Sequence, residues 1–148
     1  MVSILSFLDT GKIGYISPGV TRNFVEDILG KSEDISLSKK PLILKYGSLQ
    51  LSFNKNSDKT YVLNSIHLYF DEEKISFPQK LELKGWIPNK DTTFEDFMEK
   101  IESCNFELKE DQLHTFKELG QRGYKTKSGV VVIIKNGQLD SMHLSVEE

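Results

Sequence analysis

At 148 residues the chain has room for one ordinary domain or two very small ones, and its 38% hydrophobic content is enough for a packed core of its own. The formal net charge of -3, with Lys and Arg scattered singly and only Lys39-Lys40 adjacent, provides no basic stripe of the kind that neutralises phosphates, which argues against a nucleic-acid partner. A single cysteine, Cys104, excludes an internal disulfide and leaves no thiolate cluster for zinc.

The first apolar run, Ile4 to Leu8, stops at Asp9 and lacks both a charged start and a small-residue cleavage site, so it reads as a packing segment rather than an export signal. No run approaches the ~20 apolar residues of a membrane span. Together with the lone cysteine, this leads to the expectation of a cytoplasmic protein with no membrane partner. Gly14-Tyr15-Ile16 reads as an extended entry, and Pro18-Gly19 as a turn.

Next comes the best organised piece of the sequence, a short helix with both ends written in. Thr21 can cap its start through a hydroxyl that accepts a free first-turn N–H, and Gly30 can end it at little steric cost. Phe24, Val25, Ile28 and Leu29 gather on one side. A helix this short is marginal alone, so that side is expected to lie on something larger.

Lys31 to Lys40 reads as a loop. From Leu42 the period changes to two. Leu42 to Tyr46 is a strand, Gly47-Ser48 a tight turn, Leu49 to Phe53 a half-buried strand, Asn54 to Lys59 a hairpin loop, and Tyr61 to Phe70 the longest strand of this half. Asp71-Glu72-Glu73-Lys74 breaks the pattern, and Pro78 to Lys84 reads as the connection between two halves.

The second half repeats the plan. Gly85-Trp86-Ile87 echoes Gly14-Tyr15-Ile16, and Thr92-Thr93-Phe94-Glu95 reads as a capping box in which Thr92 and Glu95 satisfy each other's backbone donors. The helix it opens carries Phe94, Phe97, Met98 and Ile101 and should stop near Ser103 to Asn105. Asp111 to Gly120 is open: Leu113, Phe116 and Leu119 recur every three residues as in a short helix, whereas Leu113, Thr115 and Lys117 fit an irregular strand equally well. Three strands follow, Tyr124 to Lys127, Val130 to Lys135 and Gln138 to Val146, joined at Ser128-Gly129 and at Asn136-Gly137, a strong hairpin signal. The last strand, Leu139-Asp140-Ser141-Met142-His143-Leu144, matches Leu63-Asn64-Ser65-Ile66-His67-Leu68 at Leu, Ser, His and Leu. We read a duplicated unit of one helix and three strands, residues 1–80 and 81–148, packed as an α+β body with helices on one face of an antiparallel sheet.

The pattern G-x-T-x-x-x-V-x-x-x-L-G over Gly19, Thr21, Val25, Leu29 and Gly30 resembles the opening motif of the SmpA/OmlA-like domains of barrel-assembly lipoproteins, and of the related repeats of beta-lactamase inhibitor proteins. In that family a Pro usually follows the Leu-Gly pair, whereas this chain has Lys31-Ser32-Glu33. The resemblance implies helices lying across an antiparallel sheet and activity through binding other proteins.

Residues able to carry chemistry are sparse. Of three histidines, His67, His114 and His143, none lies at i, i+4 from another or within a Cys/His cluster, which argues against zinc. Ser65-x-His67 and Ser141-x-His143 each place two side chains on one strand face, without a carboxylate to orient either imidazole. Gly120-Gln121-Arg122-Gly123 lacks the Lys-Ser/Thr of a nucleotide cradle. The acidic pairs Glu72-Glu73 and Glu147-Glu148 read as solvated ends. The expectation is no catalysis and no cofactor.

Period-two reasoning is more specific. Val62, Ile66, Leu68 and Phe70 should face the helices, while Ser65, His67 and Tyr69 face away, joined by Gln50 and Ser52, and in the second half by Ser141 and His143. Val130, Val132 and Ile134 are expected on the same helix-free face, where they would need cover. The leading expectation is a protein-binding protein, an immunity protein that neutralises a bacterial toxin through Gln50, Ser52, Ser65, His67, Tyr69, Ser141 and His143. The alternatives are a small ligand-binding domain or enzyme using Cys104 or the histidines, and a structural subunit of a larger complex.

Overall fold

The alternation that begins at Leu42 organises one antiparallel sheet. In the computed structural model, which describes residues 2–36 and 40–146, eight strands run in the order β1-β2-β3-β4-β8-β7-β6-β5. They are β1 (Asp34–Ile35), β2 (Leu42–Tyr46), β3 (Leu49–Lys55), β4 (Tyr61–Tyr69), β5 (Leu108–Glu110), β6 (Gln121–Thr126), β7 (Val131–Lys135) and β8 (Gln138–Ser145). The sheet is open, and the fold class is α+β. Among the described residues there are three helices, α1 (Ile4–Thr10), α2 (Arg22–Leu29) and α3 (Phe94–Ser103), and none is long and apolar enough to cross a membrane. The pair Glu147-Glu148 and the middle of the expected loop, residues 37–39, lie outside the described residues.

Each helix is set by its caps. Ser3 Oγ accepts from the Ser6 amide at the start of α1, and Thr21 Oγ1 accepts from the Phe24 amide at the start of α2. Gly30 caps the end of α2, its amide donating to the Glu26 carbonyl. In α3 the capping box lies one residue later than expected: Thr93 Oγ1 accepts from the Asp96 amide and the Asp96 carboxylate accepts from Thr93. The reason is that Thr92 is engaged elsewhere. Its hydroxyl accepts from the Asn89 amide and its carbonyl from the Leu139 amide, which ties the helix entry to β8.

Ile4, Phe7 and Leu8 of α1, Val25 and Leu29 of α2, and Phe97 and Ile101 of α3 meet the apolar residues of one sheet face in a single core. From the sheet come Leu42 and Leu44 of β2, Leu51 and Phe53 of β3, Ile66 and Leu68 of β4, Val132 and Ile134 of β7, and Leu139 and Met142 of β8.

Two strand bulges correct the expected faces. Between β3 and β4 the register shifts at Ser52/Phe53, so that Ser65 opposes Ser52 and Leu63 opposes Phe53 with Asn64 as the extra residue. Leu63, not Val62, therefore points into the core, while Val62 is bridged to Thr21. Between β7 and β8 the register shifts at Ile133/Ile134, leaving Asp140 as the extra residue. Val130, Val132 and Ile134 belong to the helix-side core, against the expectation, and it is Val131 and Ile133 that lie on the other face. A run apolar on both faces carries no alternation from which to read its orientation.

β1 and β5 had no counterpart in the expected elements, each being too short to establish a period. Residues 111–120 carry no strand and no α-helix but two single-turn 3-10 helices, Gln112–His114 and Lys117–Leu119, closer to the short-helix reading than to the irregular strand. Leu113 and Leu119 lie in the two helices, whereas Phe116 between them lies outside both and is bridged to Gln121, so their spacing does not mark one continuous helix.

Candidate functional site

A row of residues in register crosses the whole helix-free face. Successive strand pairings join Asp34, Lys45, Gln50, His67, His143, Val131, Lys125 and Lys109, one from each strand. In neighbouring rows Ser52 opposes Ser65, and Tyr69 opposes Ser141. The sheet therefore places Gln50, Ser52, Ser65, His67, Tyr69, Ser141 and His143 on one face around the β4–β8 seam. Ser65 and Ser141 are buried and the other five are half-buried.

At the centre is an aromatic stack. The His67 and His143 rings lie nearly parallel, with centroids 5.2 Å apart and an interplanar angle of 18°. Tyr69, two residues further along β4, stacks with His67 with ring centroids 6.1 Å apart. His114 then meets His143 edge to face at 5.1 Å. All three histidines of the chain are thus gathered in one cluster, although they come from β4, β8 and the first 3-10 turn. His114 was not among the expected face residues, since nothing in its local pattern shows where the chain folds back.

It arrives there because residues 111–120 cross over the helix-free side of β6. The Asp111 amide donates to the Gly123 carbonyl, the Gly123 amide donates to Thr115 Oγ1, and Gln121 Nε2 donates to the His114 carbonyl. At Gly123 the two layers approach closely. A Cβ built on it would lie 2.6 Å from the His114 Cβ, so a side chain there would displace the crossing segment. His114 Nδ1 donates to the Asp111 carboxylate at 2.5 Å, which fixes the ring against His143. On the same helix-free face, Val131 and Ile133 of β7 are only 5% and 6% exposed, although both lie outside the helix-side core. The outer surface of the crossing segment carries Leu113 and Leu119, 80% and 73% exposed.

Burial dominates the electrostatics. His143 is pushed down to about 4, first by burial and then by repulsion from His67 and His114, with Asp111 opposing and Lys125 adding to the effect. His67 is held below the usual histidine range by burial. Burial raises the Tyr69 hydroxyl, and the Asp140 and Asp71 carboxylates raise it further. Near pH 7 the imidazoles of His67 and His143 are therefore neutral, each able to offer one donor and one acceptor.

Among the described residues no three His, Cys, Asp or Glu side chains are placed to hold a metal ion. His67 and His143 make no hydrogen bond with each other and meet as stacked rings. Ring contact also leaves no space between the imidazoles for a reacting group, as an acid–base pair would require. Cys104 caps the end of α3, its Sγ 3.9 Å from Ser103 Oγ, and among the described residues it makes no contact with a histidine. Compared with known families, curated proteins and solved structures, the chain matches none.

Proposed function

We propose that the chain is a non-catalytic protein-binding protein of immunity type, which neutralises a bacterial toxin by laying the helix-free sheet face over it. The observation that carries this reading is the seam itself: Tyr69, His67 and His143 form a stacked aromatic strip flanked by Gln50, Ser52, Ser65 and Ser141. A strip of this kind suits a protein interface, where rigid aromatic anchors dominate the energy and small polar groups complete the hydrogen bonding. Its rings are already fixed by one another, so little side-chain freedom remains to be lost on binding.

We further read the sheet as two related halves, residues 1–80 and 81–148. Several paired features support that duplication. Leu63 and Leu139 each donate a backbone hydrogen bond to the residue before a helix-capping threonine, Val20 and Thr92. Asn64 and Asp140 are the bulged residues of β4 and β8. The duplication agrees with the resemblance to the SmpA/OmlA-like repeats.

The test is to capture partners of the tagged chain in its native host, identify them by mass spectrometry, and reconstitute the pair from purified components. A stoichiometric complex that abolishes the partner's toxicity is expected. The combined variant His67→Ala, Tyr69→Ala, His143→Ala should weaken it at least roughly a hundredfold, on the scale of two hot-spot residues. Full affinity in that variant overturns the assignment of the face, and a purified partner whose activity is unaffected overturns the assignment as an inhibitor.

A further inference from the structure

We propose that residues 111–120 are a strap that the histidine cluster latches to the sheet at neutral pH and releases in mild acid, opening the helix-free face of β6, β7 and β8. The geometry provides both the latch and its direction. His143 sits between His67 on one side and His114 on the other, both in ring contact. The other groups facing it are Asp111 from the strap and Lys125 from β6, with Lys109 of β5 beside Lys125 in register and Tyr69 of β4 beyond His67. Asp111 is the one attractive charge among them, and it is already hydrogen-bonded to His114. A proton on His143 therefore places a charge in a half-buried site beside His67, a charge that water can stabilise once the strap lifts from it.

The strap is the member free to move. His67 and His143 are opposed in the β4–β8 ladder at the middle of an eight-stranded sheet. His114 rides on a crossing held mainly along β6, by Asp111 to Gly123, Gly123 to Thr115, and the reciprocal pair between Phe116 and Gln121. Of its large apolar side chains Leu113 and Leu119 point to solvent and Phe116 is 42% exposed, so its own buried apolar area comes mainly from one ring and offers limited resistance to lifting. Release would open the face on which Val131 lies beside His143.

Hydrogen exchange followed by mass spectrometry on the whole purified chain, at pH 7.5 and 5.0 with intrinsic rates corrected, tests the strap without any binding partner, so the outcome is independent of the proposed toxin. In the wild-type chain, protection of residues 111–120 is expected to fall at least roughly tenfold at pH 5.0, the change expected when one proton site differs by a unit or more between the two states, while β7 and β8 keep theirs. His143→Phe and His67→Phe retain an aromatic ring without the proton site and should each reduce that loss. Two variants guard against one failing to fold. Unchanged wild-type protection, loss in step with β7 and β8, or an equal loss in whichever Phe variants fold would overturn the latch.

Discussion

His67 and His143 stand opposite each other across the central strand pair, and the pairs on either side of them, Ser65 with Ser145 and Tyr69 with Ser141, are spaced evenly about that point. The seam between the two groups of four strands thus carries two half-buried imidazoles in ring contact. Both imidazoles are held below their ordinary range by burial.

One consequence concerns stability against pH. A histidine of depressed folded pKa binds fewer protons folded than unfolded, so its contribution is fully present above the ordinary histidine value and is lost as pH falls. For His143 the window runs from about 6.5 down to about 4, with His67 shifted the same way. Urea midpoints should therefore fall between pH 7.5 and 5.5, where few carboxylates titrate. His143→Gln should show a shallower fall over the same range.

Gly123→Ala tests the close approach of the strap. The new Cβ would meet the His114 Cβ at 2.6 Å and its carbonyl oxygen at 3.0 Å, and both lie near or within the chain backbone rather than at a flexible tip. Overpacking of this sort costs about 1–3 kcal/mol. Chemical denaturation should record that loss, and hydrogen exchange should show it concentrated in residues 111–120.

The caps of α2 and α3 are separable from the sheet face. Thr21→Ala and Thr93→Ala each remove a side-chain acceptor for a first-turn amide, Phe24 in one case and Asp96 in the other. Each should cost about 1 kcal/mol. The two losses should add in a double variant, because the caps belong to different helices. Thr92→Ala distinguishes the observed capping box from the one expected a residue earlier: it should leave the Thr93–Asp96 box intact and lose only the Asn89 hydrogen bond.

Phe97 is wholly buried against Trp86 and the sheet core. Phe97→Ala should destabilise the chain by about 3–5 kcal/mol, and calorimetry would show a correspondingly lowered Tm. A mild effect would mean that α3 rests on the sheet more loosely than its burial indicates.

Much of the fold was legible before the structure. Thr21 and Gly30 bracket α2 because capping depends on residue chemistry within a few positions, and β2 runs from Leu42 to Tyr46 because period-two alternation directly reports a strand with one face buried. The same alternation placed Gln50, Ser52, Ser65, His67 and Tyr69 on the helix-free face, and the echo between the two segments carried Ser141 and His143 to it. The matched segments around His67 and His143 are β4 and β8, but that these two strands pair with each other was not legible in the match.

Other features were not legible because no local pattern encodes them. A bulge at Asn64 moved Leu63 rather than Val62 into the core, and one extra residue reverses every face before it. The apolar run from Val130 to Ile134 is buried on both sides, so its orientation was settled only by pairing with β6 and β8. His114 joined the cluster through a backbone crossing over Gly123, many residues from either partner histidine. Caps, turns and alternation are properties of neighbouring residues and are determined by the sequence alone. Which histidines touch, and what covers Val131 and Ile133, depends on strand register and on the path of a returning segment, and these become defined only when the whole sheet closes on its core.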